Sequence, residues 1–353
     1  MARRGATENP VSTRFDDLAR EADGDFRDWL QASGEGRPLR TEVTVERPRT
    51  AMTRNDSPDI PFEASFNAYR GCEHGCIYCF ARPTHAWHGL SPGLDFESRL
   101  FAKPDGPALL REAFAKPGYR PSPLALGTNT DPYQPIEARF RITRAVLELC
   151  LEARHPVSVT TKSARVLDDL ALLAALAKDG LAAVMVSVTT LDPALARAME
   201  PRAAAPHRRL AAIRALAGAG VPVAVSASPM IPGLNDHELE AIVAAAAEAG
   251  ASAAAAMPIR LPHEVAPLFA AWLRHHRPDR AERVLNGIRA MRGGRLNDPR
   301  FGHRQRGEGP WAALLAARLE RLRRDPRVLW AEPNAVAGIA AIPNDPGRAG
   351  KRG

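Results

Sequence analysis

The stretch that decides the architecture of this 353-residue chain is a short loop, Arg70-Gly71-Cys72-Glu73-His74-Gly75-Cys76-Ile77-Tyr78-Cys79-Phe80. It holds three of the chain's four cysteines, at a C-x3-C-x2-C spacing. This spacing is too tight for a disulfide framework, whereas three thiolates that converge on one point form a metal site. A [4Fe–4S] cube normally takes four cysteine ligands. Cys72, Cys76 and Cys79 would therefore leave one iron with an open coordination position.

A structural zinc site is the alternative, with His74 as the fourth ligand of a Cys3His set. Zinc sites usually pair two cysteine or histidine knuckles, and the sequence near the loop offers no second one. His74 also lies between two of the cysteines, an awkward place from which to close a tetrahedron. The spacing therefore favours iron over zinc. We interpret His85 and His88 as loop residues near the site and not as ligands.

Composition and charge are typical of a soluble globular protein, with 45% apolar and 25% charged residues. No run approaches the length of uncharged apolar sequence that a membrane helix needs, so no transmembrane span is expected. Met-Ala-Arg-Arg at the start is followed by no apolar segment, which argues against a secretory signal. Reduced thiols and an oxygen-sensitive cluster lead us to expect a cytoplasmic protein.

Short apolar runs alternate with helical patterns from Ala64 onward, and this alternation predicts an α/β fold with a parallel sheet covered by helices. The predicted strands are Ser65–Tyr69, Leu124–Gly127, Val157–Thr161, Ala183–Val188, Val221–Ala227 and Ala253–Met257. Six strands are fewer than the eight of a closed TIM barrel. The active site of such a sheet forms at the C-terminal ends of its strands, and the cysteine loop follows the first strand.

Four regions are predicted along the chain: a polar, partly disordered N-terminal arm (1–58), a core domain (59–260), a helical, arginine-rich C-terminal extension (261–330) and a flexible tail (331–353). Within the arm we expect a short helix around Phe15 to Trp29 and an extended segment at Leu39 to Val45. The extension is expected to hold the helices Glu264–His276, Pro278–Arg292 and Trp311–Arg324.

The run from Asn67 to Pro83 resembles the radical S-adenosylmethionine (SAM) proteins grouped with spore photoproduct lyase. It is closest to an uncharacterised branch named after a Pseudomonas member. Two further strings are similar to that branch, Leu90-Ser91-Pro92-Gly93-Leu94-Asp95-Phe96-Glu97 and Thr130-Asp131-Pro132-Tyr133-Gln134-Pro135-Ile136-Glu137. The resemblance extends from about Thr41 to the basic C-terminal region.

This resemblance implies the partial (βα)6 barrel of that superfamily and a [4Fe–4S] cluster whose open iron is chelated by SAM. It implies cleavage of SAM to a 5′-deoxyadenosyl radical that abstracts hydrogen from a substrate. A reductant such as flavodoxin or ferredoxin would supply the electron. Nucleic-acid lesion repair is the more specific activity that the lyase group implies.

Small polar groups follow the later strands, where a bound nucleoside would need them. Thr130 and Asp131 lie in an elaborate loop with two prolines, and Asp131 is suited to the SAM ammonium; an ordinary capped turn is the alternative. Lys162 at the end of the third strand suits a carboxylate. Ser187 can reach a ribose hydroxyl, and Met230 can pack against the adenine.

Carried over by strand position, the resemblance implies SAM contacts at Tyr78, Thr130, Lys162 and Ser187. Two positions depart from the lyase. Thr128 stands where the lyase has the cysteine that returns a hydrogen atom to the product radical, and an O–H bond is too strong to replace a thiol there. Phe80 stands where the lyase has a tyrosine. Cys150 is a candidate substitute donor, although a buried mid-helix cysteine is usually a small hydrophobe.

Residues 272–327 hold 15 arginines against 6 acidic residues, a surplus of +9, while the remainder of the chain is near −1. If this segment faces the barrel mouth, nucleic acid is a candidate partner, and Arg300, Arg304 and Arg306 are expected to contact phosphates. Two other interpretations stay open. The segment can serve packing only, in a radical SAM enzyme for a peptide or small metabolite, or the chain can be a non-catalytic metal-binding module.

Overall fold

Two sheets organise the part of the chain that the computed structural model describes, residues 4–10, 12, 14, 40–324 and 331–332. Their strands in chain order are β1 (Glu42–Val45), β2 (Thr53–Arg54), β3 (Ala64–Phe66), β4 (Tyr69–Arg70), β5 (Arg99–Ala102), β6 (Leu124–Leu126), β7 (Val157–Thr161), β8 (Ala182–Ser187), β9 (Val223–Ser226), β10 (Ala253–Ala255) and β11 (Ala331–Glu332).

The α-helices of the described residues are α1 (Asp95–Ser98), α2 (Gly106–Phe114), α3 (Glu137–Phe140), α4 (Ile142–Glu152), α5 (Leu170–Lys178), α6 (Pro193–Met199), α7 (Pro206–Gly218), α8 (Leu239–Glu248), α9 (Val265–His276), α10 (Ala281–Ala290) and α11 (Gly309–Arg323). Short 3-10 segments occupy Arg82–His88, Ala164–Asp169 and Asp236–Glu238. None of the described helices is long and apolar enough to cross a membrane.

The larger sheet has the strand order β11-β10-β9-β8-β7-β6-β3-β2, and every pair in it is parallel except β2–β3. The smaller sheet has the order β1-β5-β4. The six predicted strands correspond to β3 and β6 to β10. The prediction of an α/β fold with a parallel sheet and a helical C-terminus is therefore confirmed.

Burial on both faces explains why the central strands are continuously apolar. All six residues of β8, Ala-Ala-Val-Met-Val-Ser, are buried. Helices cover the sheet through residues such as Val146, Leu147 and Cys150 of α4, which share one hydrophobic core with the strands. Because the apolar residues fill the strands themselves, polar residues collect in the loops after them.

The predicted first strand is divided in two at Asn67. The Asn67 carboxamide accepts a hydrogen bond from the Asn129 backbone N–H at 2.9 Å and donates to Thr128 Oγ1 at 3.0 Å. These bonds tie the chain to the loop after β6, and the following residues, Tyr69 and Arg70, pair with β5 in the smaller sheet. The cysteine loop thus starts between the two sheets. The helix expected at Phe15 to Trp29 lies outside the described residues, as does nearly all of the expected tail.

Candidate functional site

A cavity of about 460 Å³ lies at the C-terminal ends of the parallel strands. This is within the roughly 300–1,000 Å³ range of small-molecule sites, and it is the edge at which open α/β sheets bind ligands. Its wall includes Cys72, Cys76, Cys79, Tyr78, Thr128, Asn129, Thr130, Asp131, Thr160, Lys162, Ser187, Ser226, Ser228 and Met257. The cysteine loop and four successive strand ends therefore face one space.

The three loop thiols are all free and all line this cavity. Cys72 and Cys76 are buried, and Cys79 is half-buried. Burial raises the pKa of each thiol, so the thiolates need a positive charge beside them. Iron ions would supply that charge, because metal binding displaces thiol protons. The donor set fits an iron–sulfur cluster.

His74, the fourth ligand of the alternative zinc site, lines the same cavity as the three thiols. Its Nδ1 lies 3.3 Å from the Asp131 carboxylate, which leaves Nε2 as the ring nitrogen for a metal.

Asp131 connects the strand ends to the cysteine loop. Its carboxylate accepts hydrogen bonds from Thr161 Oγ1 and the Lys162 backbone N–H, both at 2.7 Å, and from the Tyr133 N–H at 2.9 Å. Burial opposes ionisation, but His74 and these donors outweigh it and lower the Asp131 pKa. Both carboxylate oxygens already have donors within the protein. Asp131 therefore holds the loops around the cavity in place.

A buried carboxylate that sequence reasoning missed, Glu200, lies behind the wall formed by Tyr78 and Lys162. It accepts hydrogen bonds from the Tyr78 hydroxyl and from Thr189 Oγ1, and it pairs with Arg209 and, at 3.5 Å, with Lys162 Nζ. Burial raises its pKa, but the charges of Arg209 and Lys162 prevail and hold the pKa well below the usual range. Glu200 thereby fixes Lys162, whose ammonium also lies 5.7 Å from the centroid of the Tyr78 ring.

Other sequence-predicted residues divide between the cavity and the core. Thr130 and Ser187 are buried and line the cavity, and the Thr130 hydroxyl donates to the Tyr69 carbonyl at 2.9 Å. Met230 is fully buried in the core and does not belong to the lining, where Met257 stands instead. Cys150 is also absent from the lining, and burial raises its pKa to about 12.

An N-terminal strap, defined by residues 4–10, 12 and 14, lies against the cysteine loop. The backbone N–H groups of Gly5 and Ala6 donate to the Glu97 carboxylate at 2.8 and 2.7 Å. A Cβ on Gly5 would come within 1.6 Å of the Gly75 carbonyl oxygen, so only glycine allows the two backbones this approach. Sequence composition gave no sign of this contact.

Buried Arg82 connects the N-terminal strap to the cysteine loop. Its side chain is fully buried and pairs with Glu97 at 2.6 Å. It also donates to the carbonyls of Cys76 at 2.9 Å, Gly75 at 3.1 Å and Gly93 at 2.9 Å. One guanidinium therefore fixes the backbone of the loop that carries the thiols. Five donors in a rigid fork suit arginine to this task, and lysine cannot reproduce it.

The arginine-rich C-terminal segment reaches the cavity mouth, where Arg304 and Gln305 join the lining. Buried Arg292 places this segment by donating to the carbonyls of Ile259, His303 and Arg304. Much of the positive charge is neutralised internally, since Arg300 pairs with Asp298 at 2.6 Å and with Glu308 at 3.1 Å. Arg306 is exposed and does not line the cavity. Part of the segment therefore packs within the protein, and part of it lines the cavity mouth.

Several known proteins are similar in sequence to this chain. Uncharacterized proteins of Mycobacterium bovis and Mycobacterium tuberculosis are 35% identical over 226 residues, which is 64% of this chain and 66% of theirs. The chain thus covers just under two thirds of the length of these relatives. An uncharacterized protein of Methanocaldococcus jannaschii is 28% identical over 172 residues, 49% of this chain and 62% of that protein.

Solved structures of spore photoproduct lyase share the fold. A cysteine-to-serine mutant of that enzyme matches with a TM-score of 0.53 at 16% identity, over 87% of this chain and 92% of the lyase. A tyrosine-to-phenylalanine mutant matches with a TM-score of 0.54 over the same shares. Residues 66–246 match the radical SAM superfamily, and this stretch contains the cysteine loop and β6 to β9. The chain belongs to the radical SAM superfamily.

Proposed function

We propose that this protein is an enzyme that uses the two cofactors of its superfamily, a [4Fe–4S] cluster and SAM, to abstract a hydrogen atom from an organic substrate. The observation that carries the proposal is the shared cavity of the three thiols and the polar strand ends. When bound and reduced by one electron, the cluster supplies the cleavage of SAM to methionine and a 5′-deoxyadenosyl radical. A small reductant protein such as flavodoxin or ferredoxin is the proposed electron donor.

Within this proposal Cys72, Cys76 and Cys79 would each hold one iron of the cluster, and the open iron would supply the site for SAM. Lys162, oriented by Glu200, offers its ammonium to the SAM carboxylate. Ser187, at the end of β8, is placed to bind a ribose hydroxyl. Residues 59–260 form the proposed catalytic core, and residues 261–330 form the proposed extension, of which Arg304 and Gln305 line the cavity.

Position 128 holds a threonine and not a cysteine, and this affects how the product radical can be quenched. Its hydroxyl lines the cavity and is held by Asn67. Since a hydroxyl does not return a hydrogen atom to a carbon radical, we propose that the reaction ends differently from that of the lyase. The substrate would enter from the mouth, where Arg304 and Gln305 of the arginine-rich segment line the cavity.

Three substitutions test the proposed SAM contacts. Thr130→Ala, Lys162→Ala and Ser187→Ala are each expected to weaken SAM binding by about 1–3 kcal/mol, because a buried partner of the ligand is removed. Binding is measured anaerobically by calorimetry on the reconstituted protein. Iron content should stay at the wild-type level, because none of the three is a ligand.

Ser252→Ala is the control for these variants, since its hydroxyl lies before β10, away from the cavity lining. It should bind SAM as the wild type does. Wild-type SAM affinity in all three test variants would show that the strand ends are not the SAM site.

A further inference from the structure

Arg260 is a cation at the mouth of the cavity whose charge is not paired with any described carboxylate. It follows β10 and lines the cavity. Its Nε–H is buried and donates to no acceptor among the described residues, and no described carboxylate lies within ion-pair distance. Burial lowers its pKa, which shows that the protein environment disfavours this charge. The residue as a whole is half-buried in the cavity wall, so an anionic ligand in the cavity can reach its guanidinium.

Neighbouring arginines add to the uncompensated positive charge at Arg260. Arg304 lies close enough to lower the Arg260 pKa further, and Arg292 is buried nearby and bonded to carbonyls alone. Asp59 opposes these charges on Arg260, but its carboxylate already accepts a hydrogen bond from Arg304 at 2.6 Å. The three guanidinium groups therefore leave a net positive field at the mouth, suited to an anionic group.

Phe80 supplies a planar apolar surface beside this charge. It directly follows the last cysteine of the loop, lines the cavity and is 45% exposed. The Arg260 guanidinium lies 5.2 Å from the centroid of its ring. Exposed phenyl rings next to arginine are the usual platform for a nucleobase and its phosphate, because the ring stacks on the base and the guanidinium binds the oxygens bidentately.

We propose that Arg260 and Phe80 form a subsite for a nucleotide unit of the substrate, with the phosphate on Arg260 and the base on Phe80. This proposal rests on the proposed function in that the subsite opens into the same cavity as the thiols. The nucleotide can be a free one or part of a strand. Both bring the same chemistry, and their salt dependence differs, since a strand contacts the field through several phosphates.

The test measures binding to the reconstituted, SAM-loaded protein of three probes: cytidine 5′-monophosphate, cytidine, and an eight-residue oligocytidylate. A pyrimidine avoids competition with the adenine of SAM. We expect the phosphorylated probes to bind and cytidine to bind at least tenfold more weakly. Arg260→Gln should weaken the phosphorylated probes about tenfold or more, as expected for a lost charged hydrogen bond. Arg260→Lys should retain part of the affinity, because the charge remains while the fork is lost.

Arg295→Gln is the matched control, because it removes the same charge from an exposed arginine outside the cavity lining. It should leave mononucleotide binding within twofold of the wild type. Iron content and SAM affinity show whether each variant is folded; if Arg260→Gln loses both, the comparison rests on Arg260→Lys and on Phe80→Ala, which should also weaken the nucleotides.

Tighter binding of the oligonucleotide with a steep salt dependence identifies a strand, and equal affinity of the two phosphorylated probes identifies a free nucleotide. Failure of the wild type to bind either phosphorylated probe overturns the subsite, and so does an equal loss in Arg295→Gln. Neither result depends on SAM cleavage, so failure of the proposed radical chemistry is detected separately.

Discussion

Replacement of any one of Cys72, Cys76 and Cys79 by alanine is expected to abolish stable binding of the cluster. A cube held by two thiolates has two open irons, and the loop has no fourth cysteine to substitute. Anaerobic reconstitution of the wild type should give about four irons and four sulfides per chain with a brown colour. Each single variant should lose most of its iron, and the triple variant should lose all of it.

Cys150→Ala is the control for this series. Cys150 is a buried free cysteine in α4, outside the cavity lining, so its variant should keep the wild-type iron content. Wild-type iron in the triple variant would exclude this loop as the cluster site. One zinc per wild-type chain without sulfide would instead support the metal-binding module that the sequence left open.

The second large effect concerns Arg82, which should be the most sensitive non-ligand position near the loop. Arg82→Met removes the buried partner of Glu97 and five hydrogen bonds, one to Glu97 itself, two to the loop carbonyls of Gly75 and Cys76 and two to the carbonyls of Pro92 and Gly93. Breaking a buried pair by removing one partner costs about 3–5 kcal/mol of unfolding free energy. Urea unfolding of the metal-free protein measures this loss, and reconstitution should show reduced iron retention.

Arg111→Met provides the matched control, because Arg111 makes the same kind of pair with Glu152 at the surface, where ion pairs contribute little. Its unfolding curve should overlay that of the wild type. If Arg82→Met unfolds at the wild-type urea concentration, the role given to Arg82 and the strap is wrong.

Sequence alone predicted the central strands well, because their burial on both faces leaves a continuous apolar run, as in β8. It did not predict the division of the first strand at Asn67. That division depends on hydrogen bonds to residues 61 and 62 positions away. Local patterns carry no information on such a partner.

The candidate site was likewise predicted only where its residues are contiguous in sequence. The cysteine spacing and the polar strand ends were visible because each is contiguous in sequence. Glu200 was missed, since an acid between a helix and a proline is typical of a surface turn, and only the fold brings Tyr78 to it across 122 residues. The strap was missed for a similar reason, because a polar, charged N-terminus has the composition of a disordered arm.

Cleavage of SAM by the reduced wild-type protein tests the central claim most directly. Anaerobically reconstituted protein, reduced with dithionite and supplied with SAM, should form 5′-deoxyadenosine and methionine in equal amounts, and the triple cysteine variant should form neither. Protein that holds about four irons per chain and yet yields no more 5′-deoxyadenosine than the triple variant would contradict the proposed radical chemistry.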